Sequence, residues 1–275
     1  NLMAELLENK DWQTLSTLHD VLIQMLREYY MVGGMPEAVN VFIETNDANS
    51  VREVQREILL AYKNDISKHT TKEQSHRIAM VWNSMPSQLS KENKKFLYGV
   101  VKKGGRAKEF ELAIQWLIDA GLIIKVGRVT TPSMPLKVYE DLSAFKLYLL
   151  DVGLLGAMAE INPVQLLLPN NMKESKGMFT ENFVCTQLAT QFNSSLFYYS
   201  KENSTLEIDF FVQKETQIIP IEVKAELNVK SKSLSTILQN NEEMFGVRFS
   251  MNQYRQQEKI VNLPLYCAEV YFKED

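Results

Sequence analysis

Thiols and imidazoles are scarce in this chain: two cysteines and three histidines occur among 275 residues. Cys185 and Cys267 each lie inside an apolar segment. Nothing in that placement suggests a disulfide framework or a thiolate metal centre, and buried, reduced thiols are the expectation. His19, His69 and His76 are scattered, so a histidine-built metal site is not expected. No apolar run approaches the ~20 residues that span a bilayer. No signal peptide is visible, and a reducing, cytoplasmic home without membrane contact follows as the expectation. A phosphate-cradling G-x-x-x-x-G-K-[ST] loop is missing too. "GVVKKGGRAKEF" has glycines and lysines at other spacings, so this chain is not expected to bind ATP through such a loop. Nor is there an excess of positive charge: 30 basic against 34 acidic residues give a net charge of −4. Any nucleic acid must then be held by a local patch rather than by a global field.

What is present is an ordinary globular composition, 45% hydrophobic and 23% charged, with enough length for one or two cores. The start, "NLMAELLENKDW", lacks an initiator methionine and opens in mid-helix pattern, which reads as a piece of a longer polypeptide. Leu18, Leu22, Met25, Leu26 and Tyr29 keep helical spacing over residues 14–30. That helix is expected to stop at Gly33-Gly34, with Pro36 opening the next one. Val54, Ile58, Leu59, Tyr62 and Ile66 repeat the pattern over 51–69, and a shorter helix over 76–90 is expected to break around Pro86. Phe110, Ala113, Ile114, Leu117 and Ile118 then form one face of a strong amphipathic helix, Ala107 to Gly121. The extended pieces "LIIKVGRV", "PLKVYED" and "AFKLYLLD" follow it. Helix, turn, helix and β-ribbon is the order of a winged helix-turn-helix. A basic cluster, Lys94, Lys95, Lys102, Lys103, Arg106 and Lys108, precedes the candidate recognition helix. Lys102, Lys103, Arg106 and Lys108 are the candidates for DNA phosphate contact; the plain alternative is a solvated surface diluted by Glu92, Glu109 and Glu111.

From about Gly177 the pattern becomes α/β. A helix "GMFTENFVCTQLATQF" leads to a strand "SSLFYYS", then to "LEIDFFVQKETQIIPIEVKAE", a helix "SKSLSTILQNNE", and strands "FGVRFSM" and "PLYCAEVY". This order implies a mixed sheet with helices on both faces. In the central stretch, "QKETQ" is short and polar enough for a hairpin loop. Strand alternation puts Glu207 with Asp209 on one face and Glu222 with Lys224 on one face. Closing the hairpin then brings Asp209 close to Glu222 and Lys224. Two carboxylates suit a hard divalent ion such as Mg²⁺ or Mn²⁺, which would neutralise a phosphodiester oxygen and lower the pKa of a bound water. Lys224 is placed to orient that water or to stabilise developing charge. The plain alternative is a solvated cross-strand Glu–Lys pair worth a few tenths of a kcal/mol.

A carboxylate, a hairpin's length of residues and then Glu-x-Lys resembles the signature of the PD-(D/E)XK, restriction-endonuclease-like nucleases. Ile208 stands where the usual proline precedes the aspartate. The resemblance implies Asp209, Glu222 and Lys224 as catalytic residues, with Asp209 and Glu222 as metal ligands. Glu181, on the preceding helix, would complete the metal shell. More broadly, "YYMVGGMPEAVNVF", "AMVWNSMPSQLSKENKKFLY", "AIQWLIDAGLI", "PLKVYEDLSAFKLYLLDVGLLGAM", "GMFTENFVCTQLA", "EIDFFV" and "IIPIEVKAE" look like the landmarks of prokaryotic AAA-type ATP-binding proteins. These carry an ATPase module followed by domain of unknown function 4143, and the similarity runs from about Tyr29 to Tyr271. It implies that the ATPase module, with its ATP, belongs to a missing N-terminal part that is also the natural partner.

The expectation is therefore an α+β protein in three consecutive segments. Residues 1–50 form a helical segment after the ATPase, 51–165 a helical, winged-helix domain and 170–275 a nuclease-like domain, with 160–176 as linker. The expected function is a metal-binding, DNA-interacting effector region, active as a Mg²⁺- or Mn²⁺-dependent phosphodiesterase if catalysis survives. The alternative is the same fold, idle, serving as a protein–protein interaction or regulatory module; an oligomer is compatible with either.

Overall fold

The computed structural model describes residues 2–168, 176–192, 195–225, 231–241 and 243–272. Eight helices come first: α1 (Leu2–Glu8), α2 (Trp12–Thr17), α3 (His19–Val32), α4 (Pro36–Thr45), α5 (Ala48–His69), α6 (Lys72–Leu89), α7 (Tyr98–Val101) and α8 (Ala107–Asp119). Strands β1 (Ile123–Val129) and β2 (Glu140–Leu149) follow, then α9 (Val152–Met158), α10 (Pro163–Leu167) and α11 (Lys176–Gln191). The last part holds β3 (Phe197–Ser200), β4 (Glu207–Lys214), β5 (Gln217–Lys224), α12 (Lys232–Gln239), β6 (Gly246–Ser250), β7 (Arg255–Gln257) and β8 (Ile260–Pro264). The architecture is mixed α+β: twelve helices among the described residues and one eight-stranded mixed sheet. No helix among them is long and apolar enough to cross a membrane.

Two compact units interleave along the chain. One, largely helical, comprises Arg27–Lys125 and Leu147–Phe183; the other, α/β, comprises Asn1–Leu26, Val126–Lys146 and Val184–Asp275. In the helical unit α3 ends where the sequence places its stop, with Gly33 at φ +76° and Pro36 opening α4. Gly33 is required twice over. Its φ is in the left-handed region, and a Cβ there would lie 2.3 Å from Asp151 Oδ1. Asp151 caps α9 by accepting from Leu154 N at 2.8 Å, and its second oxygen accepts from Gly34 N at 2.6 Å. The buried Gln55 amide donates to the last carbonyls of α3, Met31 O and Val32 O, each at 2.9 Å. These bonds satisfy helix-terminal groups that burial would otherwise leave unpaired. The expected break at Pro86 does not occur. α6 runs through it to Leu89, with a Thr71–Gln74 capping box at its start and buried Trp82, Met85 and Leu89 holding its last turns. Tertiary packing outweighs the lost backbone donor.

In the α/β unit the strand order is β2-β1-β3-β4-β5-β6-β8-β7. β1 pairs parallel with β3, so the strands after α8 extend the large sheet. β3, β4 and β5 run antiparallel, β5, β6 and β8 run parallel, and β7 closes the far edge antiparallel to β8. A core of Val129, Phe197, Tyr199, Ile208, Phe211 and Ile218 packs against Leu234, Ile237 and Leu238 of α12. Burying each such side chain contributes about 1.5–3 kcal/mol. One strand expectation fails here. "PLYCAEVY" becomes the end of β8 and a 3₁₀ turn, Leu265–Glu269, rather than a strand. A short apolar run is equally compatible with a buried strand or a buried turn, and Pro264 with φ −57° starts the turn. Cys185 and Cys267 are free and buried, and burial pushes the Cys267 thiol pKa up, away from reactive thiolate. Of the expected linker, 169–175 lies outside the described residues.

Candidate active site

The expected hairpin is present. β4 and β5 pair from Phe210 opposite Ile221 to Lys214 opposite Gln217, with the turn at Glu215 and Thr216. Extending that register by one step sets Asp209 opposite Glu222. Asp209 Oδ2 accepts a hydrogen bond from Val223 N at 2.8 Å, which fixes its carboxylate against the backbone that carries Glu222. On its other side, β4 departs from simple alternation. Two steps along β3, Phe197 to Tyr199, oppose three along β4, Phe211 to Ile208. Ile208 and Phe211, at odd spacing, therefore both enter the same core cluster. Such a bulge re-aims the side chains at its site, and Asp209 sits inside it.

Glu222 is 5% exposed. Its Oε1 lies 2.5 Å from Lys224 Nζ, and its Oε2 is buried without a hydrogen-bond partner. Leaving such an oxygen unsatisfied costs about 1–3 kcal/mol, so this end of the sheet is not optimised for stability alone. The parallel register places Arg248 beside Glu222 and Ser250 beside Lys224. Arg248 is buried. Nε donates to Asn262 Oδ1 at 3.0 Å, one terminal nitrogen to Ser231 Oγ at 3.2 Å and the other to Gln257 Oε1 at 3.4 Å. Ser250 Oγ also donates to Asn262 Oδ1, at 2.9 Å. Burial lowers the Arg248 pKa, and the Glu222 charge beside it pulls in the opposite direction. Sequence reading missed Arg248. Its signal was present as a charge inside the apolar run "FGVRFSM", since a buried cation needs partners.

Glu207 has a different role from its neighbours. Its Oε1 accepts from Lys146 Nζ at 2.6 Å, and Lys146 is 1% exposed, lying 4.8 Å from the centre of the Tyr198 ring. Burial pushes the Tyr198 hydroxyl up to about 12, partly offset by Lys146. Arg128, nearby in sequence pairing, donates to Ser200 O and to Asp141 Oδ2. This second charged group is internally satisfied.

Glu181 belongs to the helical unit and is engaged there. Oε1 accepts from Lys94 Nζ at 2.6 Å and Oε2 from Tyr148 OH at 3.2 Å. Lys94 is thereby buried and leaves the basic cluster. The next residue, Asn182, bonds both Leu149 N and Leu149 O, tying α11 to the end of β2. Among the described residues no group of three or more His, Cys, Asp or Glu is placed to hold a metal ion. Lys102, Lys103, Arg106 and Lys108 are all exposed on the loop before α8 and in its first turn, with Lys102 Nζ 3.5 Å from Glu109 Oε2.

Residues 23–165, more than half of the chain, match the model of a family described as a domain of unknown function, DUF8612. The chain belongs to the DUF8612 family. Residues 176–268 match a second model, the domain of unknown function DUF4143. Asp209, Glu222, Lys224 and Arg248 all fall within the DUF4143 match, while the basic loop before α8 falls within the DUF8612 region. No curated protein and no solved structure matches the chain.

Proposed function

We propose that the DUF4143 region is a divalent-metal-dependent phosphodiesterase of the PD-(D/E)XK kind, acting as the effector end of a AAA-type ATPase whose motor module precedes this chain. The observation that carries the reading is Glu222: a buried carboxylate with one oxygen on Lys224 and the other unpaired, with Asp209 held opposite. The donor set fits Mg²⁺ or Mn²⁺, which are commonly bound through one or two carboxylates and complete their shells with water and substrate phosphate. Asp209 and Glu222 would hold the ion. When bound, it supplies Lewis-acid polarisation of the phosphodiester and a water of lowered pKa. Val223 N fixes the Asp209 carboxylate, and the Lys224 ammonium, 32% exposed in its side chain, would orient water or meet charge on a phosphate oxygen. In the DUF8612 region, α7, the loop to α8 and α8 supply the helices of a helix-turn-helix reading. Lys102, Lys103, Arg106 and Lys108 would neutralise phosphates there.

A second reading has its own observation. Both Glu181 oxygens are already bonded within the helical unit, and no three-carboxylate group is present among the described residues. A site reduced to two carboxylates suits an idle nuclease fold used as an interaction module. Cleavage of plasmid and branched DNA with Mg²⁺ or Mn²⁺ separates the two. Metal-dependent cutting abolished by both Asp209→Ala and Lys224→Ala is the expected result. Absence of cutting together with absence of metal binding establishes the idle module. Charge reversal at Lys102 and Lys103 is expected to weaken DNA binding and flatten its salt dependence.

A further inference from the structure

The hairpin of α5 and α6 encloses space that its own side chains do not fill. A cavity of about 670 Å³, within the range of small-molecule sites, lies between these helices and the end of α9, wholly inside the helical unit. Its room comes from short side chains, Ser67 on α5, Ser75 and Ala79 on α6 and Ala157 on α9, where bulkier residues would close a packed helix pair. The lining is segregated along the hairpin. Tyr62 and Trp82, with ring centres 6.3 Å apart, and Ser67 and Ser75, with hydroxyl oxygens 3.3 Å apart, set the antiparallel register of the two helices. Away from the turn, apart from the exposed Asn83, the wall is apolar: Leu59, Leu60, Ala79 and the buried Trp82, with Leu60 56% exposed. Toward the turn it carries Lys63, Ser67, Lys72, Ser75 and His76. Glu160 is the single acidic side chain among the described residues of the lining.

We propose that this cavity binds a small carboxylate with a medium-length apolar body, its head toward the α5–α6 turn. The site lies within the DUF8612 match and stands apart from the nuclease reading. From Leu59 to Ser67 the α5 wall rises about 12 Å, the reach of a chain of roughly ten carbons. Covering Leu59, Leu60 and Trp82 with such a chain removes apolar surface of both partners from water, and each methylene buried is worth about fourfold in affinity. At the other end Lys63 and Lys72 are exposed, and their flexible stems bring two ammonium groups to the head without burying either. The Ser75 hydroxyl is a further donor. A carboxylate head therefore meets both charge and hydrogen-bond donors. A cationic head is repelled by the same lysines, and a neutral alcohol gains only the apolar half.

The test is calorimetric titration of the full chain with decanoate, kept below micelle formation, beside decanol and decyltrimethylammonium as neutral and cationic counterparts. Decanoate is expected to saturate one site per chain and to bind about tenfold more tightly than decanol, the worth of two partly solvated charge contacts. Decyltrimethylammonium is expected to bind more weakly than either. The double substitution Lys63→Met and Lys72→Met is expected to remove the preference for decanoate while leaving decanol binding unchanged. Ala79→Phe, which places a ring in the cavity, is expected to abolish binding of both, with thermal melts to establish that the chain folds. If that variant does not fold, Leu60→Glu, at a largely exposed position of the apolar wall, decides in its place by weakening decanoate binding. Three results overturn the proposal: no saturable decanoate binding, decanoate bound no more tightly than decanol, or decanoate binding that a folded Ala79→Phe or Leu60→Glu chain retains unchanged.

Discussion

Two buried lysine–glutamate pairs, one in each unit, have nearly the same length and opposite completeness. Lys94 and Glu181 lie 2.6 Å apart with side chains 7% and 11% exposed, and Tyr148 takes the second oxygen. Lys224 and Glu222 lie 2.5 Å apart, but Lys224 is 32% exposed and Glu222 Oε2 has no partner. A buried ion pair recovers its desolvation cost only when its remaining lone pairs are also met. The first pair meets that condition and behaves as architecture. The second does not: its second oxygen is buried and unmet. Ion-pair distance alone would not have separated them; the fate of the second oxygen does.

The comparison can be broken from its stable side first. Lys94→Ala leaves Glu181 buried and uncompensated, and is expected to cost about 3–5 kcal/mol, read from the urea midpoint of the full chain. Tyr148→Phe removes only the second bond to Glu181 and is expected to cost about 1 kcal/mol by the same measurement. Lys224→Ala is expected to cost about 1 kcal/mol or less, because the ammonium is partly solvated. A loss at Lys224 as large as that at Lys94 would erase the distinction between the pairs. The smallest effect concerns a third buried carboxylate, Asp151, whose hydrogen-bond donors are backbone N–H groups. Burial raises its pKa above the ordinary 3.8 in spite of those bonds from Gly34, Leu154 and Gly153. A raised folded value means the folded chain holds the proton more tightly than the unfolded chain. The stability this contributes is fully present below pH 3.8 and is lost as pH rises through the folded value. Relative to Asp151→Asn, the parent's urea midpoint is therefore expected to fall as pH rises from 3.8; a difference that is flat with pH would show that no such shift exists.

Local signals made much of this legible. Alternation and the polar "QKETQ" turn predict β4 and β5, and Gly33 with Pro36 predicts the junction of α3 and α4. The opposition of Asp209 and Glu222 follows from hairpin length. The bulge at Asp209 was not legible, because it arises from the register β4 takes against β3 rather than from its own residues. Charges inside apolar runs, Lys146 in "AFKLYLLD" and Arg248 in "FGVRFSM", announced that partners must exist without saying which. The partners, Glu207 for Lys146 and Asn262, Ser231 and Gln257 for Arg248, come from other strands or a helix cap.

By itself, then, the sequence determined the α+β character, the hairpin and the places of Asp209, Glu222 and Lys224 on it, since these depend on spacing within one or two elements. Only the tertiary structure decided that Glu181 is bonded by Lys94 and Tyr148, that Glu207 belongs to Lys146, and that Arg248 stands beside Glu222. Each of those outcomes turns on which distant group meets a buried charge. Burial makes the meeting obligatory, but the packing of whole strands and helices selects the partner.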